Sequence, residues 1–184
     1  MSRLVTHASI EAAPAASGPG LEAVKKQLGT VPNLFRVVAS SPAALDGHLG
    51  MMTALAKGSL GPATGNRIAL AIAEVNGCDY CLSAHTYIGK NLTKLDDAEI
   101  TANRSGASND PKADAAVRFA TKVAWARGHI TEDDVKAVKL AGYTDAQIVE
   151  IIEHVALNTF TNYLNVVAQT EIDFPVVQPR GVAA

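Results

Sequence analysis

The sequence predicts an all-α fold, a bundle of about eight helices, and three observations predict it. Helix-boundary residues punctuate the chain at helix-length intervals. Apolar residues recur at helical spacing, as in Ile148, Ile151, Ile152 and Val155. No strand-length run alternates apolar and polar residues, and no long internal repeat is present.

Residues 1–20 read as a flexible N-terminal arm, because Ala8 to Gly20 is rich in Ala, Ser, Pro and Gly. Residues 21–184 read as one helical domain. Gly61-Pro62 opens a helix, since proline fits a first turn whose N–H groups have no helical acceptor. Asp110-Pro111 repeats the device and Gly128 closes that helix. Thr131 with Asp134, and Thr144 with Gln147, fit capping boxes separated by Gly142. The last helix is expected from about Asp145 to Thr170. Two segments, Ile68 to Val75 and much of Val155 to Val167, are apolar nearly all round and belong inside a bundle or at a subunit contact.

Composition narrows the function. Of 184 residues, 48% are hydrophobic and 18% charged, a globular composition with little polar covering, which hints at subunit contacts. A net charge of -2 argues against a nucleic-acid partner, which calls for a basic face. No apolar run is long enough for a membrane span, and Met1 to Ala16 lack the pattern of a secretory signal. The expected location is the cytoplasm. Thiols are kept reduced there, so a close cysteine pair points to catalysis or metal binding rather than to a structural staple.

The only two cysteines lie just beyond the first apolar segment. Asn76-Gly77 stops one helix, and a second is expected to begin near Cys78. Cys78, Cys81 and His85 then fall on one face in successive turns. A thiol in a first helical turn feels the positive end of the helix dipole, which favours the thiolate. His85 is within reach of Cys81 as base and then as acid. Cys81 is therefore the candidate for attack on a peroxide oxygen, and Cys78 for resolving the resulting sulfenic acid as a disulfide. Glu74 is the only charged residue between Ile68 and Cys78. It either orients His85 and relays a proton, or pairs with Arg67 two turns earlier.

Other uses of the pair fit less well. Zinc wants about four ligands, and Cys78, Cys81 and His85 supply three, with His7, His48, His129 and His154 at no matching spacing. No metal or cofactor is expected. Leu82 occupies the place of the histidine that a c-type haem attachment needs, and the βαβ setting of a thioredoxin site is absent. The pair also reads as two plain core thiols. His154, Asn158 and Asn162 form a polar stripe on the last helix that either lines a pocket or is satisfied within the core. Tyr80 either offers its hydroxyl to a substrate or packs. The glycines from Gly58 to Gly65 lack the ending of a phosphate loop.

The run Val75-Asn76-Gly77-Cys78-Asp79-Tyr80-Cys81-Leu82-Ser83-Ala84-His85 resembles the core of the AhpD-like alkylhydroperoxidases, within the carboxymuconolactone decarboxylase family. Pro32-Asn33-Leu34-Phe35, Asn158 to Asn165, and Asp173-Phe174-Pro175 are similar to the peroxidase-related branch. The resemblance covers most of the chain from about Leu28. It implies an AhpD-like helical bundle, assembly as homotrimers or homohexamers, and reduction of peroxides by a cysteine pair. It implies that the second cysteine attacks and that the histidine four residues later joins a relay with a glutamate. The expected reductant is a dithiol donor, with a lipoyl protein, a thioredoxin-like protein and a small thiol all left open. The family's glutamate falls at Asn66 here, which leaves Glu74 as the candidate to take over its role. The histidine that AhpD places before its second cysteine is Tyr80.

These readings predict a thiol peroxidase acting on hydrogen peroxide or an alkyl hydroperoxide. Two alternatives remain at this stage. One is a carboxymuconolactone-decarboxylase-like lyase using His85 and Glu74; the other is a non-catalytic, redox-responsive helical oligomer.

Overall fold

The computed structural model describes residues 2–180, and among them it has nine α-helices and no strand. They are α1 (Gly18–Leu28), α2 (Asn33–Val38), α3 (Pro42–Ala56), α4 (Pro62–Val75), α5 (Asp79–Asn91), α6 (Asp97–Arg104), α7 (Pro111–Trp125), α8 (Glu132–Leu140) and α9 (Asp145–Ala168). The helix in excess of the expected eight has its counterpart in short elements such as α2. Its six residues are too few to carry a periodic face.

Helix ends follow local chemistry. Pro62 and Pro111 stand in the first turns of α4 and α7, and Asp110 caps α7 by accepting the N–H groups of Lys112 and Ala113. Thr131 with Asp134 and Thr144 with Gln147 close both reciprocal bonds of the capping box. α9 ends where Gln169 turns left-handed.

The apolar segment of α4 is the axis of the bundle, packing against α5, α6, α7 and α9. Ile68, Leu70 and Ile72 are fully buried; Ile68 and Ile72 share one side of the helix and Leu70 faces another. One core lies between α4, α7, α8 and the first half of α9, around Ile72, Ala116, Phe119 and Ile151. A second lies under α1 to α3, around Leu21, Phe35 and Leu45.

Residues 2–17, expected as part of a flexible arm, are mostly exposed but touch the helices at several points. Ser2 and Arg3 hydrogen-bond to the carbonyl of Ala168 at the end of α9. The Arg36 guanidinium donates to the carbonyls of His7 and Ala8. Ala13 is buried in the second core, Ala15–Ser17 form a 3₁₀ turn, and α1 starts at Gly18. Small residues, read as loose from composition, are here what allows close packing against α3: a side chain at Gly20 would meet Leu45 at 3.0 Å.

The stretch after α9, residues 171–180, runs back over the start of α5 as a strap. No helix among the described residues is long and apolar enough to cross a membrane.

Candidate active site

The junction between α4 and α5 builds the site. Gly77 turns left-handed with φ 64°, and the Cys78 N–H bonds the carbonyl of Ala73 while the Gly77 N–H bonds that of Glu74. These two bonds are the Schellman closure of a helix, and they require a residue that tolerates positive φ. The same closure sets Cys78 in extended backbone as the cap of α5, where its sulfur accepts the Cys81 N–H at 3.1 Å. The stop of one helix therefore delivers both cysteines to the first turn of the next.

Cys78 and Cys81 are joined by a disulfide, with 5.3 Å between their Cα atoms. Both are buried, at 0% and 3% exposure. Ile172, Phe174 and Val177 of the strap, with Leu34 of α2, pack over them.

Asn165 is the side chain from outside α5 that reaches a sulfur. Its Nδ2 donates to Cys81 Sγ at 3.4 Å, and it is itself 3% exposed. The polar stripe expected on the last helix ends at Asn162, and Asn165 enters the expectations only as the end of the Asn158 to Asn165 motif. The available signal was the same polar stripe, since Asn165 lies two turns beyond Asn158 on the same helix. Elsewhere on the stripe, Asn162 accepts from Asn76 at 2.9 Å while its own Nδ2 has no partner, and Asn158 donates to the carbonyl of His154.

His85 is held by Asn66 of α4. Asn66 Nδ2 donates to the His85 carbonyl at 3.1 Å, and Asn66 Oδ1 lies 2.9 Å from His85 Nδ1. A carbonyl accepts only, so the first bond fixes which way the amide faces. Oδ1 then also accepts only, and the proton must sit on His85 Nδ1. Nε2 keeps its lone pair. Burial, and secondarily the charge of nearby His154, push the His85 pKa down to about 4, so the ring is neutral near pH 7. Gly89, one turn along α5, makes room for this contact: a Cβ there would sit 3.1 Å from Asn66 Nδ2.

Glu74 is not brought to His85. Its carboxylate accepts from Arg104 Nε at 2.6 Å and from the Arg180 N–H at 2.6 Å. Nor does it pair with Arg67, whose partner is Glu99 at 2.7 Å. A buried carboxylate does need a partner, but here the partners come from α6 and the strap. Tyr80 is likewise committed. Its hydroxyl donates to Asp173 at 2.8 Å and accepts the Leu34 N–H at 3.1 Å, while Asp173 also accepts the Asn33 N–H. Phe174 meets the Tyr80 ring edge-on, with centroids 5.8 Å apart. The motifs Pro32 to Phe35 and Asp173 to Pro175, far apart in sequence, thus meet on the residue between the two cysteines.

His85 faces two cavities. One, of about 190 Å³, lies under α2 and α3 and is also lined by His48, Tyr80 and Phe174. The other, of about 370 Å³, lies towards the start of α4 and is also lined by Asn66 and His154. Met52, Ile88, Leu157 and Asn158 border both. Gly65 makes room for His154, since a Cβ there would approach its ring to 2.9 Å. Among the described residues, no three His, Cys, Asp or Glu side chains converge to hold a metal ion.

Comparison with known proteins agrees with this geometry. Residues 42–122 match the carboxymuconolactone decarboxylase family. No curated relative matches the chain by sequence. A crystal structure of an alkylhydroperoxidase AhpD core, a peroxidase-related protein from Ralstonia eutropha JMP134, superposes with a TM-score of 0.78 at 25% identity, covering 94% of this chain and 92% of that one. A peroxidase-related protein from Silicibacter sp. TM1040 gives 0.75 at 24% identity, covering 86% and 85%. The debrominase Bmp8, solved as a cysteine-to-alanine variant in complex with 2,3,4-tribromopyrrole, gives 0.74 at 21% identity, covering 94% and 93%. Matched segment and fold agree: over residues 42–122 the chain is similar to the carboxymuconolactone decarboxylase family, and over nearly its whole length it has the fold of an AhpD core.

Proposed function

We propose that this protein is a thiol peroxidase that reduces hydrogen peroxide or alkyl hydroperoxides through Cys81 and Cys78. The observation that carries the reading is the Cys78–Cys81 pair in the first turn of α5, with an amide N–H on the sulfur of Cys81. Neutral His85 stands one turn along the same helix.

In the reduced enzyme His85 Nε2 takes the Cys81 proton, and the thiolate attacks one peroxide oxygen. The O–O bond breaks, Cys81 becomes a sulfenic acid, and the departing alkoxide takes the proton back from His85 as an alcohol. The Cys78 thiol then attacks the sulfenic sulfur; the S–S bond forms and water leaves. A dithiol donor of lipoyl or thioredoxin-like chemistry returns two electrons and two protons and becomes a disulfide itself. The cytoplasm, which maintains such donors, is the proposed compartment. Glu74 has no part in these steps. Its place at Arg104 and the strap also weighs against a lyase that pairs it with His85.

The proposed assembly is a homo-oligomer through α9. Val149, Ile152, Tyr163 and Val167 are exposed along one stripe of this helix, an apolar face left uncovered by its own chain.

The test is titration of free thiols in the reduced protein before and after one equivalent of an alkyl hydroperoxide. Wild type is expected to lose both thiols rapidly and Cys81→Ser to lose none. Survival of both wild-type thiols, or an unimpaired Cys81→Ser protein, would overturn the reading. A second electrophile suits the same pair. The cavities beside His85 are almost wholly apolar, and the similar fold of Bmp8 belongs to a debrominase. A brominated pyrrole that takes two electrons from the pair, exchanging C–Br for C–H and releasing bromide, would favour that reading if it oxidised the thiols faster than the peroxide.

A further inference from the structure

His48 has no part in the chemistry above, yet it is a polar side chain in a dry place. It lies on α3 with 6% exposure, and neither ring nitrogen has a hydrogen-bond partner. Its ring sits between Phe35, at 5.8 Å, and Phe160, at 5.6 Å. It lines the same 190 Å³ cavity as His85. A neutral imidazole carries one N–H and one lone pair, and both ordinarily find partners when buried. Burial pushes the His48 pKa down to about 4, so the neutral ring is the relevant form near pH 7.

The cavity limits what satisfies it. No Asp, Glu, Lys or Arg lines this cavity or the one beyond His85. An ionised ligand would be stripped of water with no counter-charge. An engineered apolar cavity of about 150 Å³ is enough for benzene, so 190 Å³ takes one ring with a small substituent.

We propose that His48 is the polar anchor of a substrate subsite for a compact, neutral organic molecule with a hydrogen-bonding group on an apolar, single-ring-sized body. This rests on the reading of the Cys81 site as catalytic and names the substrate class for it. The reacting group is presented on the His85 side of the cavity while a second, neutral polar group bonds His48. Hydrogen peroxide is too small to use the subsite, and molecules that end in a carboxylate are rejected by it.

The probes are phenol, toluene and benzoate, added to the full-length oxidised protein, with the His48 ring signals followed by NMR. One added hydrogen bond is expected to make phenol bind roughly tenfold tighter than toluene. Phenol shifts the His48 signals, and benzoate does not bind. His48→Phe removes the preference for phenol, while His48→Gln, which keeps a donor and an acceptor, retains it. Equal binding of phenol and toluene by wild type, a preference that survives in His48→Phe, benzoate binding as well as phenol, or unmoved His48 signals would each overturn the subsite. The wild-type probes and His48→Gln decide the matter even if His48→Phe does not fold. Because binding needs no thiol chemistry, the two readings fail separately. Phenol bound at His48 in a protein whose thiols ignore peroxide leaves the subsite standing and removes the peroxidase. Thiols oxidised by peroxide with no phenol preference remove the subsite alone.

Discussion

Replacement of Asn165 by Leu is expected to raise the pKa of the Cys81 thiol by about one to two units. The amide N–H on the sulfur lies in a site where both partners are 3% exposed, so solvent does not replace it. Hydrogen bonds to charged groups contribute about 1.5–3 kcal/mol, and one pKa unit corresponds to about 1.4 kcal/mol. Leu removes that bond when the sulfur is a thiolate. The more basic thiolate is also the better nucleophile, with a Brønsted coefficient of about 0.4–0.5, which recovers nearly half of the lost reactivity. Below the thiol pKa, reactivity should therefore fall roughly three- to tenfold. The assay is the rate of alkylation by iodoacetamide against pH, in a Cys78→Ser background so that Cys81 alone reports. The serine hydroxyl keeps an acceptor for the Cys81 N–H. Asn165→Asp, which sets a carboxylate beside the sulfur, is expected to raise the pKa further. Leu also removes an amide oxygen that has no partner in the fold, so thermal stability should not collapse. A midpoint that moves by less than half a unit in a folded Asn165→Leu protein would refute the assignment of this amide to the thiolate.

Two further outcomes follow from the same structure. The contribution of His48 to stability should be lost as pH drops from about 6.5 to about 4, because buried His48 has a folded pKa of about 4 and binds its proton more readily when unfolded. The loss is about 3 kcal/mol; urea midpoints at pH 7.5, 5.5 and 4 should show a shallower decline in His48→Leu, and parallel declines would contradict the assignment. Tyr80→Phe removes the hydroxyl that bonds Asp173 and Leu34 and should cost about 1–3 kcal/mol. It should also speed proteolytic cutting within residues 171–180, and an unchanged cutting rate would show that the strap is held by other contacts.

What was legible in the sequence is what depends on near neighbours. The capping boxes at Thr131 and Thr144, the prolines at positions 62 and 111, and the Asn76-Gly77 stop are local, and each marks a helix end where expected. The placement of Cys78 and Cys81 in a first turn follows from the same kind of rule. Partners were not legible, because they depend on how helices cross. Glu74 needed a counter-ion, but the one it has is 30 residues away in α6. Asn66 was noted for a charge it cannot carry; its use as an oriented amide appears only when α4 lies against α5. The N-terminal residues look loose by composition, and what orders them is a set of contacts with α2, α3 and the end of α9.

The roof over the disulfide is made of contacts that are distant along the chain. The Tyr80–Asp173 bond spans 93 residues, and the bond from Asn33 to Asp173 spans 140. Such contacts close very large loops, and the entropy of closure must be met before the contacts give anything back. During synthesis both cysteines leave the ribosome long before the residues that cover them. Until residues 171–180 arrive, both cysteines are open to whatever oxidants and thiols surround them. A chain cut short before Asp173 would keep every residue of the nine helices and still lose the enclosure of its site.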